Sequence, residues 1–150
     1  MNYKKDFLFI SEDRCKEIQL ELRNKVELKD DFKIEDIKYV AGIDLAYWME
    51  NKKETAVCCI TVIDMNTREI IEEKNTKGDI VFPYIAGYLS FRELSLILET
   101  VEKLSIKADL YVFDGNGYLH PRNMGIATHA SFYLNKPSIG VAKSYYKIDE

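Results

Sequence analysis

No run of this sequence is long and apolar enough to cross a membrane, and the apolar patch near its start, Phe7 to Ile10, is far too short for the core of a secretion signal. No membrane partner is expected. Cysteine is scarce: Cys15, Cys58 and Cys59 are an odd number with one adjacent pair, which makes neither a disulfide framework nor a zinc-ligand spacing. A reducing, cytoplasmic setting fits that usage. An excess of positive charge is also missing, since 21 Lys and Arg face 25 Asp and Glu for a formal net charge of −4. That balance excludes an indiscriminate grip on nucleic-acid phosphates, while leaving room for a local basic groove beside an acidic site. Internal repeats, low-complexity tracts and interdomain linkers are absent. What remains is 150 residues, 47% of them hydrophobic, enough for one domain over residues 1–150 with a single core.

Hydrophobic spacing sets the expected elements. From Ser11 to Lys29, Cys15, Ile18, Leu22 and Val26 recur at helical intervals, with Ser11 or Asp13 as the cap. After a polar connector from Asp30 to Asp36, Tyr39 to Tyr47 alternates so that Gly42, Asp44 and Ala46 share one face of a strand. Thr55 to Ile63 reads as a buried strand, Asp64 to Thr67 as a turn, and Glu69 to Lys74 as a more exposed strand, giving a three-strand antiparallel meander. Gly78 to Gly87 is a loop, Ser90 to Ile106 a second amphipathic helix, Leu110 to Asp114 a short buried strand, Pro121 to Leu134 a third helix, and Ser138 to Ala142 a last strand. The expected fold is therefore α/β: a mixed sheet, with the meander joined to parallel strands and flanked by helices.

The most informative residue is Asp114, which ends a hydrophobic strand and precedes Gly115-Asn116-Gly117, His120 and Arg122. In open α/β sheets, ligands bind at the carboxyl ends of strands, so a carboxylate there, with an imidazole and a guanidinium close behind, suggests a hydrolytic site. Asp44 lies in an otherwise apolar strand, where an unpaired carboxylate is costly and needs compensation. A structural ion pair with Arg92 or Lys143 is the plainer alternative. Glu93 sits beside the buried stripe of the second helix, and Ser90-Phe91-Arg92-Glu93 also matches a capping box, the locally stronger reading. For Asp114 the plainer role is a turn-former that accepts amides from the following glycines. Brought together, the three acids are hard oxygen ligands suited to Mg²⁺ or Mn²⁺, with His120 handling a proton and Lys143 clamping a phosphate. Taken singly, His120 reads as a surface histidine and Lys143 as a solvated lysine.

A denser pattern sits on top of these readings. Gly42-Ile43-Asp44, the run Pro83-Tyr84-Ile85-Ala86-Gly87-Tyr88-Leu89-Ser90-Phe91-Arg92-Glu93, Asp114 to Gly117, His120-Pro121-Arg122, Gly125, Ala127, His129 and Gly140 to Lys143 closely resemble endonuclease V. The resemblance implies a ribonuclease H-like fold. It also implies magnesium-dependent hydrolysis, with Mn²⁺ as a substitute, at the second phosphodiester on the 3′ side of deoxyinosine in DNA or inosine in RNA. By the same resemblance Asp44, Glu93 and Asp114 are the metal carboxylates, His120 lies near the attacking water, and Lys143 stands on the phosphate side. Tyr84, between Pro83 and Ile85, matches the wedge that fills the gap left by an extruded base, an extrusion that costs least at a mispaired site. Gly115, Gly117 and Leu119 match positions whose backbone reads that base, and Gly87 and Arg122 lie in the same motif blocks. Ala86 replaces a proline frequent in the wedge loop, and Asn116 stands where many bacterial members have glutamine. The family usually continues well past the point where this chain ends, seven residues after Lys143. Two further expectations follow: a weak or inactive form that binds the inosine lesion without turnover, and a homodimer that covers the shortened side.

Overall fold

The structure, a computed structural model, describes residues 7, 9–30 and 32–144. The polar N-terminal lead and residue 8 of the apolar patch lie outside them. In chain order the elements are α1 (Glu12–Arg23), a 3-10 turn (Ile34–Asp36), β1 (Tyr39–Glu50), β2 (Lys53–Asp64), β3 (Ile70–Asp79), α2 (Leu89–Val101), β4 (Leu110–Asp114), α3 (Ile126–Leu134) and β5 (Ser138–Val141). One sheet runs in the order β3-β2-β1-β4-β5. Its β3-β2-β1 half is antiparallel and its β1-β4-β5 half parallel, the mixed meander expected from periodicity.

Element ends depart from expectation for identifiable reasons. The β1–β2 ladder runs on to Glu50 and Lys53 because Asn51 and Lys52 both take positive φ, the two-residue turn whose twist matches a hairpin. Asp64 closes the next turn, its side chain accepting from the Asn66 and Thr67 amides, and β3 then extends to Asp79 rather than ending at Lys74. Helix α1 stops at Arg23, not Lys29, so Val26 falls outside it; Ser11 is the cap, accepting from the Arg14 amide. Helix α2 ends at Val101 instead of Ile106 because the Ser105 and Ile106 amides donate to the Glu72 carboxylate on β3, a better acceptor than another turn of helix. Residues 121–125 are not helical. The His120 ring accepts the Arg122 and Met124 amides there, and the Gly125 amide donates to the Gly117 carbonyl, so α3 begins only at Ile126.

Helices α2 and α3 pack on the sheet face formed by Ala41, Ile43, Ala56, Cys58, Ile60, Val62, Tyr111 and Phe113. From α2 come Phe91, Leu94 and Ile97, each fully buried aliphatic side chain stabilising the fold by about 1.5–3 kcal/mol. From α3 come Ile126, Ala127 and Ala130. The other face of the sheet carries Gly42, Asp44, Ala46, Cys59 and Asp114, each of them half-buried or exposed.

One polar clamp sets the central register. The Asp109 side chain accepts from the Lys38 amide at 3.0 Å and the Tyr39 amide at 3.1 Å, and its own amide donates to the Tyr39 carbonyl. It locks the start of β1 against the start of β4, from which Val40 pairs with Leu110 and Ile43 with Phe113.

Candidate active site

The β1–β4 ladder ends with Ile43 opposite Phe113, and Asp44 and Asp114 are the next residue of each strand. Side chains alternate along a strand, so both carboxylates turn to the open face, away from the helices that cover Ile43 and Phe113. Asp44 Oδ1 accepts the Leu45 amide at 2.8 Å, and Asp114 Oδ2 lies 3.1 Å from Lys143 Nζ. The bond to Asp114, then the charges of Asp114 and Asp44, raise the Lys143 ammonium above its ordinary range. The structural pairing considered for Asp44 is not what forms: Lys143 goes to Asp114, while Arg92 donates to the Phe82 carbonyl and to Glu54 and stacks 4.7 Å over the Tyr47 ring.

Glu93 comes to this corner from the helix side. The capping box does not form, because the helix cap is Tyr88 and Ser90 Oγ is engaged 2.7 Å from His129 Nδ1. The Glu93 carboxyl is 7% exposed and accepts a hydrogen bond from the Tyr47 hydroxyl. Burial pushes it up to about 7; the Tyr47 hydroxyl and the Arg92 charge oppose that rise, and the charges of Asp44 and Asp114 add to it. The three acids thus share one electrostatic neighbourhood.

Among the described residues no three His, Cys, Asp or Glu side chains form a ready-made metal cage. The donors nevertheless suit a hard cation. They are all carboxylate oxygens, and Mg²⁺ keeps several waters and takes only one or two carboxylates directly. A divalent charge at this corner would offset the burial that, first among the causes, holds the Glu93 proton, and the lesser repulsion from Asp44 and Asp114.

Beside the carboxylates, a cleft of about 90 Å³ is lined by residues that include Tyr84, Ala86, Gly87, Asn116, Met124 and Ile126. Pro83 and Tyr84 are exposed, Tyr84 at 73%, and Ile85 packs its side chain against the core. Gly87 at φ +85° and Gly115 at φ +150° adopt backbone that side chains resist. Gly117 is pressed between two other segments: a Cβ on Gly140 would fall 2.3 Å from the Gly117 nitrogen, and one on Gly125 2.6 Å from the Gly117 oxygen. Leu119 is 68% exposed on the outer lip.

His120 and Arg122 are held in the frame of this cleft. His120 Nδ1 accepts the Arg122 amide at 3.2 Å, which leaves the ring proton on Nε2 to be donated to the Gly87 carbonyl at 3.2 Å. Burial, then the Arg122 charge, lowers its pKa to about 4, so the ring is neutral at pH 7. Arg122 donates to the Gly87 carbonyl and to Gln19 Oε1, and stacks 4.5 Å over Tyr88. Sequence reasoning missed Tyr47 and Gln19. The signal for Gln19 was an amide four residues after Cys15 on the buried stripe of α1; Tyr47, three residues beyond Asp44, carried no comparable mark. A larger groove of about 630 Å³, between the C-terminal ends of α2 and α3, contains none of these residues.

Comparison with known proteins gives a consistent set. A family model described as Endonuclease V matches residues 20–149. Endonuclease V of Bacillus thuringiensis subsp. konkukian is 58% identical over 131 residues, which are 87% of this chain and 56% of that protein. Endonuclease V of Bacillus subtilis is 46% identical over 148 residues, 99% of this chain and 59% of that protein. The crystal structure of the B. subtilis protein superposes with a TM-score of 0.88 at 46% identity, covering 94% of this chain and 60% of that one. Ciona intestinalis Endonuclease V, in complex with a 24mer DNA containing an inosine followed by a ribo-adenosine, superposes with a TM-score of 0.83 at 32% identity over 91% of this chain and 59% of that one. The present chain therefore spans 56% to 60% of the length of these relatives.

Proposed function

This chain belongs to the endonuclease V family, and from that premise we propose that it hydrolyses a phosphodiester beside inosine, the second on the 3′ side, in DNA or RNA with the aid of Mg²⁺ or Mn²⁺. The observation that carries the proposal is that Asp44 and Asp114, each one residue past the end of the β1–β4 ladder, are both felt by the Glu93 carboxyl and by the Lys143 ammonium. Residues 1–150 act in this reading as one unit.

Asp44, Glu93 and Asp114 would hold the cation. When bound, it would supply positive charge against a phosphate and a more acidic water at neutral pH. The remaining steps belong to the chain. Lys143, tethered to Asp114 and largely solvent-exposed, turns to a phosphate oxygen of the substrate. Tyr84, exposed at the tip of its loop, fills the space of the extruded base. Backbone groups of Gly115, Gly117 and Leu119 read the base in the adjoining cleft. Hypoxanthine carries a carbonyl where adenine carries an amine, so amide donors there favour the first and leave the second unpaired. Gly87 lines that cleft, and Pro83, Ile85 and Arg122 contact the substrate around it. His120 stands on the water side, as a neutral ring that orients a hydrogen bond rather than releasing a proton at pH 7.

Cleavage of a single-stranded inosine oligonucleotide, with the adenosine oligonucleotide as control, tests this reading. Asp44→Asn and Asp114→Asn are each expected to lose about 100-fold in rate, a typical loss when one preorganised electrostatic partner is removed. Equal cleavage by the parent and both variants would sink the proposed site. A second reading is a module that binds inosine without turnover. Selective binding of the inosine strand with no cleavage under either metal would select it.

A further inference from the structure

We propose that Gln19 is a positioning residue for the base-reading cleft, acting on two carbonyl oxygens that belong to opposite walls. The inference rests on the inosine reading of that cleft. Gln19 projects from α1, outside every motif block and one residue before the span matched by the family model, and is fully buried. Its Nε2 donates to the Gly87 carbonyl at 3.0 Å and to the Met124 carbonyl at 3.3 Å. Its Oε1 accepts from Arg122 Nε at 2.6 Å.

The chemistry of the carboxamide explains why this residue type sits there. A planar amide offers two N–H donors on one atom, so it can bridge two carbonyls, and the Arg122 bond to its oxygen fixes which way round it lies. Gly87 ends the wedge loop and Met124 precedes α3, and both line the cleft. Gly87 reaches its position only with φ at +85°, and its carbonyl draws further donors from Arg122 Nη2 at 3.0 Å and His120 Nε2 at 3.2 Å. Gln19 thus ties the Gly87 carbonyl to the Met124 carbonyl on the opposite wall, and does so beside the His120 ring, which donates to the same Gly87 carbonyl and accepts the Met124 amide at 3.5 Å. Discrimination between a base carbonyl and a base amine depends on donor positions good to a few tenths of an ångström, and the walls hold those positions only if their spacing is set.

Gln19→Leu removes the bridge at similar size, and Gln19→Glu keeps the acceptor for Arg122 while losing both donors. Binding of a fluorescent single-stranded oligonucleotide carrying inosine or adenosine, in metal-free buffer, gives the affinity ratio for each protein. In both variants the inosine-over-adenosine ratio is expected to fall about tenfold, with adenosine affinity within about twofold of the parent, as displacement of positioning groups predicts. Thermal melts run in parallel. A discriminating parent with equally discriminating variants would overturn this inference alone, as would an equal loss of affinity for both strands or failure of both variants to fold. A parent that binds the two strands equally would remove the inosine reading, and this inference with it.

Discussion

In metal-free buffer at pH 8, Glu93→Gln is expected to melt about 6–10 °C above the parent protein and to cleave no better than background once metal is supplied. The stability half follows from where the proton sits. The buried Glu93 carboxyl keeps its proton up to about pH 7, whereas the same group in the unfolded chain releases it near 4.5. Between those values the native state binds the extra proton, so stability from this residue is full below pH 4.5, declines as pH rises toward 7 and stays low above it. A displacement of that size corresponds to about 3 kcal/mol, and in a domain of this length each kcal/mol moves the midpoint by about 2–4 °C. Glutamine retains an acceptor for the Tyr47 hydroxyl and never ionises. The advantage should therefore vanish at pH 4, and a melting series from pH 4 to 8 checks both ends. An identical midpoint for the two proteins at pH 8 would contradict the burial argument. The activity half follows from removing one of three anionic oxygen donors proposed for the cation.

Gly140→Ala is expected to cost about 3 kcal/mol in urea denaturation and to abolish selective binding of inosine. A Cβ at this position would lie 2.3 Å from the Gly117 nitrogen, 2.5 Å from the Gly115 oxygen and 2.6 Å from the Asn116 carbonyl carbon. All three are backbone atoms of the loop proposed to read the base, so no side chain can swing aside to make room. Either β5 separates from β4 or the loop moves. Gly42→Ala is the matched control, because a Cβ there meets nothing within 4 Å. If the two alanine variants unfold at the same urea concentration, the close backbone approach has no energetic weight.

Much of this architecture was legible in the residue pattern. The five strands, their mixed order and the three helices follow from periods of 2 and 3.6, and β4 was delimited to the residue because Asp109 and Gly115 punctuate it. Helix ends were less legible, since each is decided by a distant or non-helical acceptor. Glu72 lies on another strand from the amides it takes from α2's exit, and the His120 ring intercepts amides that the Pro121 signal assigned to a helix. The acids of the site were recognisable through their motifs, but not their partners. That Glu93 engages Tyr47 rather than Ser90, and that Lys143 rather than Arg92 reaches the aspartates, depends on which face each strand turns to the helices. The stripe of α1 marks Gln19 as buried, but its partners needed the packed molecule, because all three lie 68 to 105 residues away.

The Asp109 clamp has a reach that its distance from the chemistry conceals. Asp44 lies five positions after Tyr39, and Asp114 five positions after Asp109, so the two acids leave their strands level only because the opposite end of the sheet, about 17 Å off, is in step. Slippage by a single residue would send one carboxylate through to the helix side, leaving the overall outline intact and the proposed hydrolytic corner dismantled. A survey of variants scored by turnover alone would count Asp109 among the reactive groups. It is instead the datum from which their alignment is measured.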